Sequence, residues 1–257
     1  MLDLERLNLR NPWLDVCAIA LWGLVLLKLW LGGQLHLLIH PAYHWLTIFA
    51  GIALSAIALV KAAELLQKTS RQNSRTRSPQ AEHLSFFPPG LGSCIFNFLQ
   101  RFLGLIIEPT VFVSATALQR GVNDFLPITQ SQPQSFGQVT RPEEKTIIDW
   151  VRTLNVYPEP DAYSGQKVNV EGFVVHSPVL PDNYFTITRF VMTCCAADVY
   201  PVGLPVKLET SRDRYPQDTW LAVQGEMITE EFSGKRQLTI QPSSIEEIPV
   251  PANPYHY

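Results

Sequence analysis

The fold of the second half of the chain is decided by the stretch Lys167-Val168-Asn169-Val170-Glu171-Gly172-Phe173-Val174-Val175. Apolar and polar side chains alternate up to Glu171, which is the two-residue period of a half-buried β-strand. The phase of the alternation shifts at Gly172, and a glycine at a phase shift predicts a bulge or a sharp coil. We therefore expect this stretch to be the coiled first strand of a β-domain over residues 165–257.

Four more strands are predicted after the first one, with a turn at Ser233-Gly234 and no helical crossover between them. They are expected at residues 184–192, 204–208, 220–229 and 237–240. Five short strands with this spacing predict an all-β C-terminal domain, an OB-like five-stranded barrel. A small β-sandwich of another topology is the alternative.

A proline-rich connector over residues 121–164 precedes the β-domain. Helical spacing of apolar residues within it predicts one short amphipathic helix at 143–155. Thr140 is expected as its N-cap, with Pro142 in the first turn.

The first part of the chain has the composition of a membrane region. Residues 41–60 carry no formal charge, and 20 residues span the roughly 30 Å hydrocarbon core of a bilayer as a helix. The preceding apolar run, 16–31, contains one charged residue, Lys28. Lys28 lies near the end of the run, where its ammonium group can reach the interface. Gly32-Gly33 and Pro41 separate the two runs. We expect residues 1–62 to form a transmembrane helical hairpin.

A polar, basic segment follows at 63–93, and by the positive-inside rule it is expected in the cytoplasm. A third apolar run, assigned to 94–120, carries Arg101 and Glu108 and is interrupted by Pro109. It is read either as a third span or as an interfacial or re-entrant segment. The N-terminal region is thus a helical membrane region with two or three spans. A third span would make the β-domain extracytoplasmic, and its absence would make it cytoplasmic.

The charges of the two halves differ in sign. Residues 141–257 hold 10 Lys and Arg against 16 Asp and Glu, a net charge of −6, whereas residues 1–140 have a net charge of +3. The acidic half lacks the basic face that phosphate contacts need, so no nucleic-acid partner is expected. The chain contains no nucleophile elbow, phosphate loop, HExxH or paired CxxC, and we do not expect an enzyme.

The chemically distinctive motif is Cys194-Cys195-Ala196-Ala197-Asp198, at the end of the predicted second strand. Two thiols and a carboxylate within one turn can bind a soft or borderline divalent metal such as zinc. The plain alternative is that two small apolar side chains pack at the end of the barrel while Asp198 caps a turn. A redox-active thiol pair, with a lowered thiol pKa, is a third interpretation.

A second candidate metal-binding group is formed by His36, His40 and His44, which recur every fourth residue in the link between the two apolar runs. On an unbroken helix they would form one stripe able to pass a metal ion or a proton. Pro41 interrupts such a helix, and interfacial histidines also hydrogen-bond simply at lipid headgroups.

Several segments together resemble one family. They are 33–41, which ends in His-Pro, then Gly172-Phe173-Val174-Val175, then 185–198 with Arg189-Phe190 and the cysteine pair, and 218–225. In these segments the chain is similar to the YcgQ-like group of bacterial membrane proteins. That group pairs with a YcgR-like multi-spanning protein as a two-component permease, and its C-terminal part is a domain of unknown function.

The resemblance implies an accessory subunit of a permease, multi-pass in the plasma membrane. Its partners would be the lipid bilayer and a YcgR-like permease. The resemblance supplies no substrate, and the donor types of the two candidate groups lead to the hypothesis that the cargo is a metal ion. In this hypothesis Cys194, Cys195 and Asp198 capture the cation, and His36, His40 and His44 pass it to the partner. The alternative is a membrane-tethered OB-like module that recognises a protein or polymer and has no transport role.

Overall fold

The computed structural model describes residues 12–71, 104, 106–122 and 141–257. The chain divides into two compact units, Met1–Thr110 and Val111–Tyr257. The first unit is helical in its described part, and the second is built on a β-sheet.

Two long helices dominate the first unit. Helix α1 runs from Pro12 to Leu31 and α2 from His44 to Arg71. Between them lie two short 3-10 helices, Leu35–Leu37 and Pro41–Tyr43. The two helices contact each other, and α2 continues beyond the expected end at residue 62; that they form a transmembrane hairpin stays a prediction.

Among the described residues, one segment is long and apolar enough to cross a membrane, Pro41–Gln67, and the apolar part of α1, Val16–Leu31, is shorter. Apolar side chains on α2 such as Trp45, Phe49 and Leu59 are mostly exposed, each by more than 60%. An exposed apolar surface of this extent is typical of a helix whose neighbour is lipid or another protein.

Small residues bring α1 and α2 close together. A Cβ at Gly23 would lie 2.5 Å from Ser55 Oγ, and one at Gly51 would lie 3.2 Å from the side chain of Leu27. The Ser55 hydroxyl donates to the Gly51 carbonyl at 2.8 Å, so its polar group is satisfied within its own helix. Close contact at small residues is how helices pack in a lipid environment.

The third apolar run does not form one continuous helix in its described part. Residues 107–113, around Pro109, have no helical structure, and helix α3 is limited to Ser114–Arg120. Proline removes an amide donor and clashes with the preceding turn, which explains the interruption. The part before residue 104, including Arg101, lies outside the described residues, as does the basic loop at 72–93.

The second unit contains six strands: β1 Lys167–Val175, β2 Tyr184–Val191, β3 Tyr200–Lys207, β4 Trp220–Phe232, β5 Lys235–Glu247 and β6 Tyr255–His256. Their order in the sheet is β1-β4-β5-β3-β2-β6, and β1 also pairs with β2. The first five strands therefore close into a ring around an apolar core.

The ring closes where the sequence pattern predicted a coil in β1. Residues 167–173 pair with β4, and residues 173–175 pair with β2. Gly172 lies at the change of partner, where an added Cβ would be 2.5 Å from Thr188 O. Only glycine allows this close approach, which explains why a glycine stands where the alternation of apolar and polar residues shifts.

Two features of the sheet differ from the sequence prediction. Strand β3 begins at Tyr200 and contains two prolines, which have no amide donor. Its pairing with β5 is limited to Val206 and Ile240, so few hydrogen bonds are needed on that edge and the missing donors are tolerated. The two-residue β6 was not predicted, since it follows a proline-rich tail without alternation. Its pairing is parallel to β2, opposite Phe190 and Val191.

Helix α4, Ile147–Val156, covers the ring and contributes Ile147, Trp150 and Val151 to its core. Its N-cap is Thr146, whose hydroxyl accepts from the Asp149 amide while the Asp149 carboxylate accepts from the Thr146 amide. The expected start at 143 was therefore wrong: Pro142–Glu144 is a separate 3-10 helix, and Thr140 lies outside the described residues. A reciprocal capping box of this kind stabilises a helix start by about 1 kcal/mol.

Candidate metal site

The cysteine pair lies in the loop that joins β2 to β3. The Met192 amide donates to the His256 carbonyl, so β6 supports the chain up to the start of this loop. At its other end Val199, only 2% exposed, anchors the loop before β3 begins. The thiols are therefore presented on a short loop fixed at both ends by the sheet.

Asp198 organises the loop through hydrogen bonds to its carboxylate. Oδ2 accepts from the Cys194 amide at 2.7 Å and from the Thr193 hydroxyl, and Oδ1 accepts from the Cys195 amide at 3.1 Å. The Asp198 amide donates in turn to the Cys195 carbonyl at 3.1 Å. The aspartate thus does cap a turn, as the plain interpretation of the motif required, and it also fixes the backbone that carries both thiols.

The two sulfur atoms have a separation that suits a shared metal ion. Cys194 Sγ and Cys195 Sγ lie 3.6 Å apart, and these atoms and a carboxylate oxygen of Asp198 all lie within 4.8 Å of one another. Two thiolates bound at about 2.3 Å with tetrahedral angles are separated by about 3.8 Å. The loop is therefore close to the geometry of a two-sulfur chelate, with the carboxylate as a third donor.

Electrostatics keep the Cys194 thiol protonated in the absence of metal. A hydrogen bond to the Asp198 carboxylate, with a further contribution from Cys195, raises the pKa of Cys194 to about 11. For Asp198, burial opposes ionisation, but the hydrogen bonds from Thr193, Cys195 and Cys194 prevail and lower its pKa. A reactive redox thiol needs a lowered pKa, so this environment disfavours the redox interpretation.

Exposure bears on the alternative in which the cysteines are packing residues. Cys194 is exposed and Cys195 is half-buried, whereas structural cysteines are among the most buried residues in proteins. A site with two sulfur donors, one carboxylate and open solvent on one side leaves at least one coordination position free. Such open sites exchange ligands, unlike the closed four-ligand sites that serve only structure.

The histidines of the outer link are engaged in local hydrogen bonds. His36 Nδ1 donates to Gly33 O at 2.7 Å, His44 Nε2 donates to Ile39 O at 3.0 Å, and His40 Nδ1 accepts from the Ala42 amide at 3.1 Å. Each ring has one nitrogen committed to the backbone. Over the described part of the chain, the group of ligand atoms close enough to share a metal is Cys194, Cys195 and Asp198, without these histidines.

Two other polar residues of the β-domain, His176 and Arg189, are held by hydrogen bonds to backbone carbonyls. His176 Nε2 donates to the Tyr215 carbonyl at 2.9 Å, away from the thiol group. The side chain of Arg189, in β2, is only 17% exposed, stacks over Trp220 and donates to Asn253 O. Burial, only partly offset by Glu171, lowers the pKa of Arg189.

The six strands, α4 and the thiol loop together form one recognised domain. Residues 142–257 match the DUF1980 C-terminal domain. No curated protein sequence matches the chain. The DUF1980 C-terminal domain is a domain of unknown function, so the match defines a structural unit and leaves its chemistry to be argued from the residues.

The DUF1980 C-terminal domain receives contacts from residues that precede it in the chain. Arg120, the last residue of α3, donates from its guanidinium to the carbonyl of Val199, directly beside Asp198. Sequence analysis did not single out Arg120, because nothing local to it signals a partner 79 positions away. Thr193, whose hydroxyl donates to Asp198, was also missed, although a threonine before a cysteine pair is a recognisable capping residue.

Proposed function

We propose that this protein is an accessory subunit of a bacterial two-component membrane permease, and that its β-domain captures a soft or borderline metal cation at Cys194, Cys195 and Asp198. The observation that carries the proposal is the grouping of the three donor atoms within 4.8 Å on an exposed loop. The partner would be a YcgR-like multi-spanning protein, in line with the resemblance to the YcgQ-like group.

The donor set favours particular cations. Thiolates select zinc, cadmium or copper(I) over magnesium and calcium, whereas a lone carboxylate adds little selectivity. Each bound thiol releases its proton to solvent as the metal–sulfur bond forms. Three donors with an open position suit capture and transfer, and the histidines at 36, 40 and 44 would accept the cation on its way to the partner.

The architecture supports a role beside a larger transporter. We infer that α1 and α2 cross the membrane as a hairpin and that the third apolar run adds a third crossing before residue 111, since residues 111–120 belong to the β-unit. The protein would then be multi-pass and the β-domain extracytoplasmic. Two or three helices cannot enclose a solute path, so a partner or an oligomer must supply it. The order of the five strands in the ring supports the OB-like barrel that we propose, a fold that presents binding loops.

Metal titration of the full-length protein in detergent tests the capture step. We expect one equivalent of zinc or cadmium to bind with a Kd of about 1 μM or tighter, and the double variant Cys194→Ser/Cys195→Ser to lose that binding. The matched control is Cys17→Ser, because Cys17 is also an exposed free thiol but lies in α1. Equal binding by the wild type and the double variant would refute capture at this loop.

Two experiments test the remaining parts of the proposal. A reporter fused after Tyr257 should be active only on the outer side of the membrane. Affinity purification from membranes should recover a multi-spanning protein in stoichiometric amount.

A tethered binding module is the second candidate function. The observation in its favour is a groove over β1, β4 and β5, whose lining includes the polar side chains of Asn169, Gln224, Gln241 and Ser243. Recovery of a soluble or periplasmic partner, without a multi-spanning protein, would favour this candidate over the permease subunit.

A further inference from the structure

Residues 111–120 are fastened to the β-domain at three points. The Phe112 amide donates to the Tyr255 hydroxyl at 3.1 Å, the Ser114 amide donates to Asp218 Oδ1 at 2.5 Å, and Arg120 donates to Val199 O. We call this segment the strap. Ala117, in the middle of α3, is completely buried, so the strap is packed as part of the β-unit.

Aromatic rings hold the first end of the strap. The Phe112 ring lies 5.6 Å from that of Phe190 and 5.8 Å from that of Tyr255, measured between ring centres. Phe190 belongs to β2 and Tyr255 to β6, the two strands that lead into and support the thiol loop. The strap therefore contacts the frame of the loop on one side and the loop itself on the other.

Arg120 makes the contact with the loop. Its guanidinium lies over the Phe112 ring, 5.5 Å from the centre, and this stacking orients the donor toward Val199 O. Val199 is joined by a peptide bond to Asp198, whose carboxylate holds the amides of Cys194 and Cys195. The guanidinium of Arg120 is thus hydrogen-bonded to the residue that directly follows Asp198, which organises the candidate site.

We propose that Arg120 is a positioning residue of the cation site and that occupancy of the site is communicated to the strap through it. This inference rests on the proposed capture of a cation at Cys194 and Cys195. A cation held by Cys194, Cys195 and Asp198 would restrain the loop up to Asp198, and the next residue, Val199, carries the carbonyl that accepts from Arg120. Arg120 holds the Val199 carbonyl, in the peptide between Val199 and Tyr200, and so fixes the end of the loop that carries the ligands, which reduces the ordering cost of binding.

Linkage makes the effect reciprocal. If the Arg120 contact improves cation affinity, a bound cation must strengthen the Arg120 contact by the same factor. The strap overlaps the end of the apolar run at 94–118 and precedes in sequence the β-domain matched at 142–257. A signal that reaches the strap has therefore reached the segment through which the domain is joined to the membrane region.

The experiment is a cadmium titration of the full-length protein in detergent, followed by the thiolate-to-cadmium charge-transfer absorbance. We expect Arg120→Ala to weaken binding about fivefold or more, the lower range of typical coupling between sites. Arg120→Lys keeps a cationic donor and should recover most of the affinity. Arg214→Ala is the matched control, because Arg214 is an exposed arginine beside the ring of Tyr215 and should leave affinity unchanged.

A second measurement needs no variant of Arg120. Cadmium should slow amide hydrogen exchange at residues 112–120 in the wild type and leave it unchanged in the Cys194→Ser/Cys195→Ser double variant. Absence of cadmium binding by the wild type would remove the proposed function and this inference together. Normal binding with an unaltered Kd in Arg120→Ala, or with no change in exchange across the strap, would overturn the positioning role alone.

Discussion

The carboxylate of Asp198 accepts a hydrogen bond from the backbone amide of Cys194 at 2.7 Å and also interacts with the thiol of the same residue. The group that could serve as the third metal donor is therefore also the group that keeps the first thiol protonated. A cation must replace a proton between these two residues, and this exchange makes the site sensitive to pH and to the charge at position 198.

The first prediction concerns thiol reactivity. Asp198→Asn removes the negative charge that stabilises the protonated thiol, so the pKa of Cys194 should fall from about 11 toward its ordinary value. The larger thiolate fraction, partly offset by lower nucleophilicity, should speed alkylation by iodoacetamide about tenfold at a mildly alkaline pH.

This rate is best measured in a Cys17→Ser/Cys94→Ser/Cys195→Ser background, in which Cys194 is the only thiol. Asp213→Asn is the control, because the Asp213 carboxylate interacts with Ser211 in a different loop. An unchanged or slower rate in Asp198→Asn would contradict the assigned role of the carboxylate.

The second prediction is the pH dependence of cation binding. Since Cys194 has its pKa raised to about 11, it is protonated throughout the neutral range, and metal binding must release that proton. Affinity should therefore rise with pH, by at least about tenfold per unit between mildly acidic and neutral pH. Titration of the full-length protein with cadmium at several pH values measures the slope, and a flat profile would exclude Cys194 as a ligand.

Local patterns in the sequence predicted much of the β-domain. Gly172 marks the change of strand partner, and Ser233-Gly234 forms the predicted turn, with φ values of 51° and 77°. Gly172 is required by the close approach of Thr188 O, and Gly234 adopts a positive φ, so in both places the need for glycine is visible in the local sequence. The grouping of Cys194, Cys195 and Asp198 was predictable for a similar reason, because all three lie within one turn.

Contacts between distant residues could not be predicted in this way. The Tyr255–His256 strand forms because β2 has a free edge beyond the point where β1 leaves it, which is a property of the folded ring. The Arg120–Val199 contact likewise depends on packing of α3 against the domain. The four-residue spacing of His36, His40 and His44 suggested a shared site, but two short 3-10 helices replace the continuous helix that such a stripe needs.

The third prediction is that Gly225→Ala destabilises the β-unit. Gly225 lies at the irregularity in the β4–β5 register, where an added Cβ would be 2.1 Å from the carbonyl oxygen of Gln241. The clash is with backbone, so a strand must move, and we expect a loss of about 2 kcal/mol or more in the free energy of unfolding. Urea unfolding of the fragment 111–257 measures it.

Gly234→Asn is the control for that substitution. Gly234 also has a special backbone, with φ of 77°, but an added Cβ there meets nothing within 4 Å, and asparagine tolerates this conformation. The control should unfold within about 0.5 kcal/mol of the wild type. Similar destabilisation by both substitutions would mean that backbone conformation, and not the approach of β4 to β5, sets the requirement for glycine.

The last prediction is that the stable β-unit begins at the strap and not at the boundary of the matched domain. A fragment of residues 141–257 lacks Phe112 and Ala117 and exposes the rings of Phe190 and Tyr255 that Phe112 contacts. Loss of a fully buried aromatic side chain costs about 3 kcal/mol or more. Phe112 is half-buried, so we expect a loss of about 1–2 kcal/mol and a lower urea midpoint for this fragment than for 111–257. Phe112→Ala within 111–257 separates the ring from the remainder of the strap and should account for most of the difference. Equal stability of the two fragments would show that the strap adds no packing energy, and its contacts with Tyr255, Asp218 and Val199 would then be too weak to carry a signal from the thiol loop.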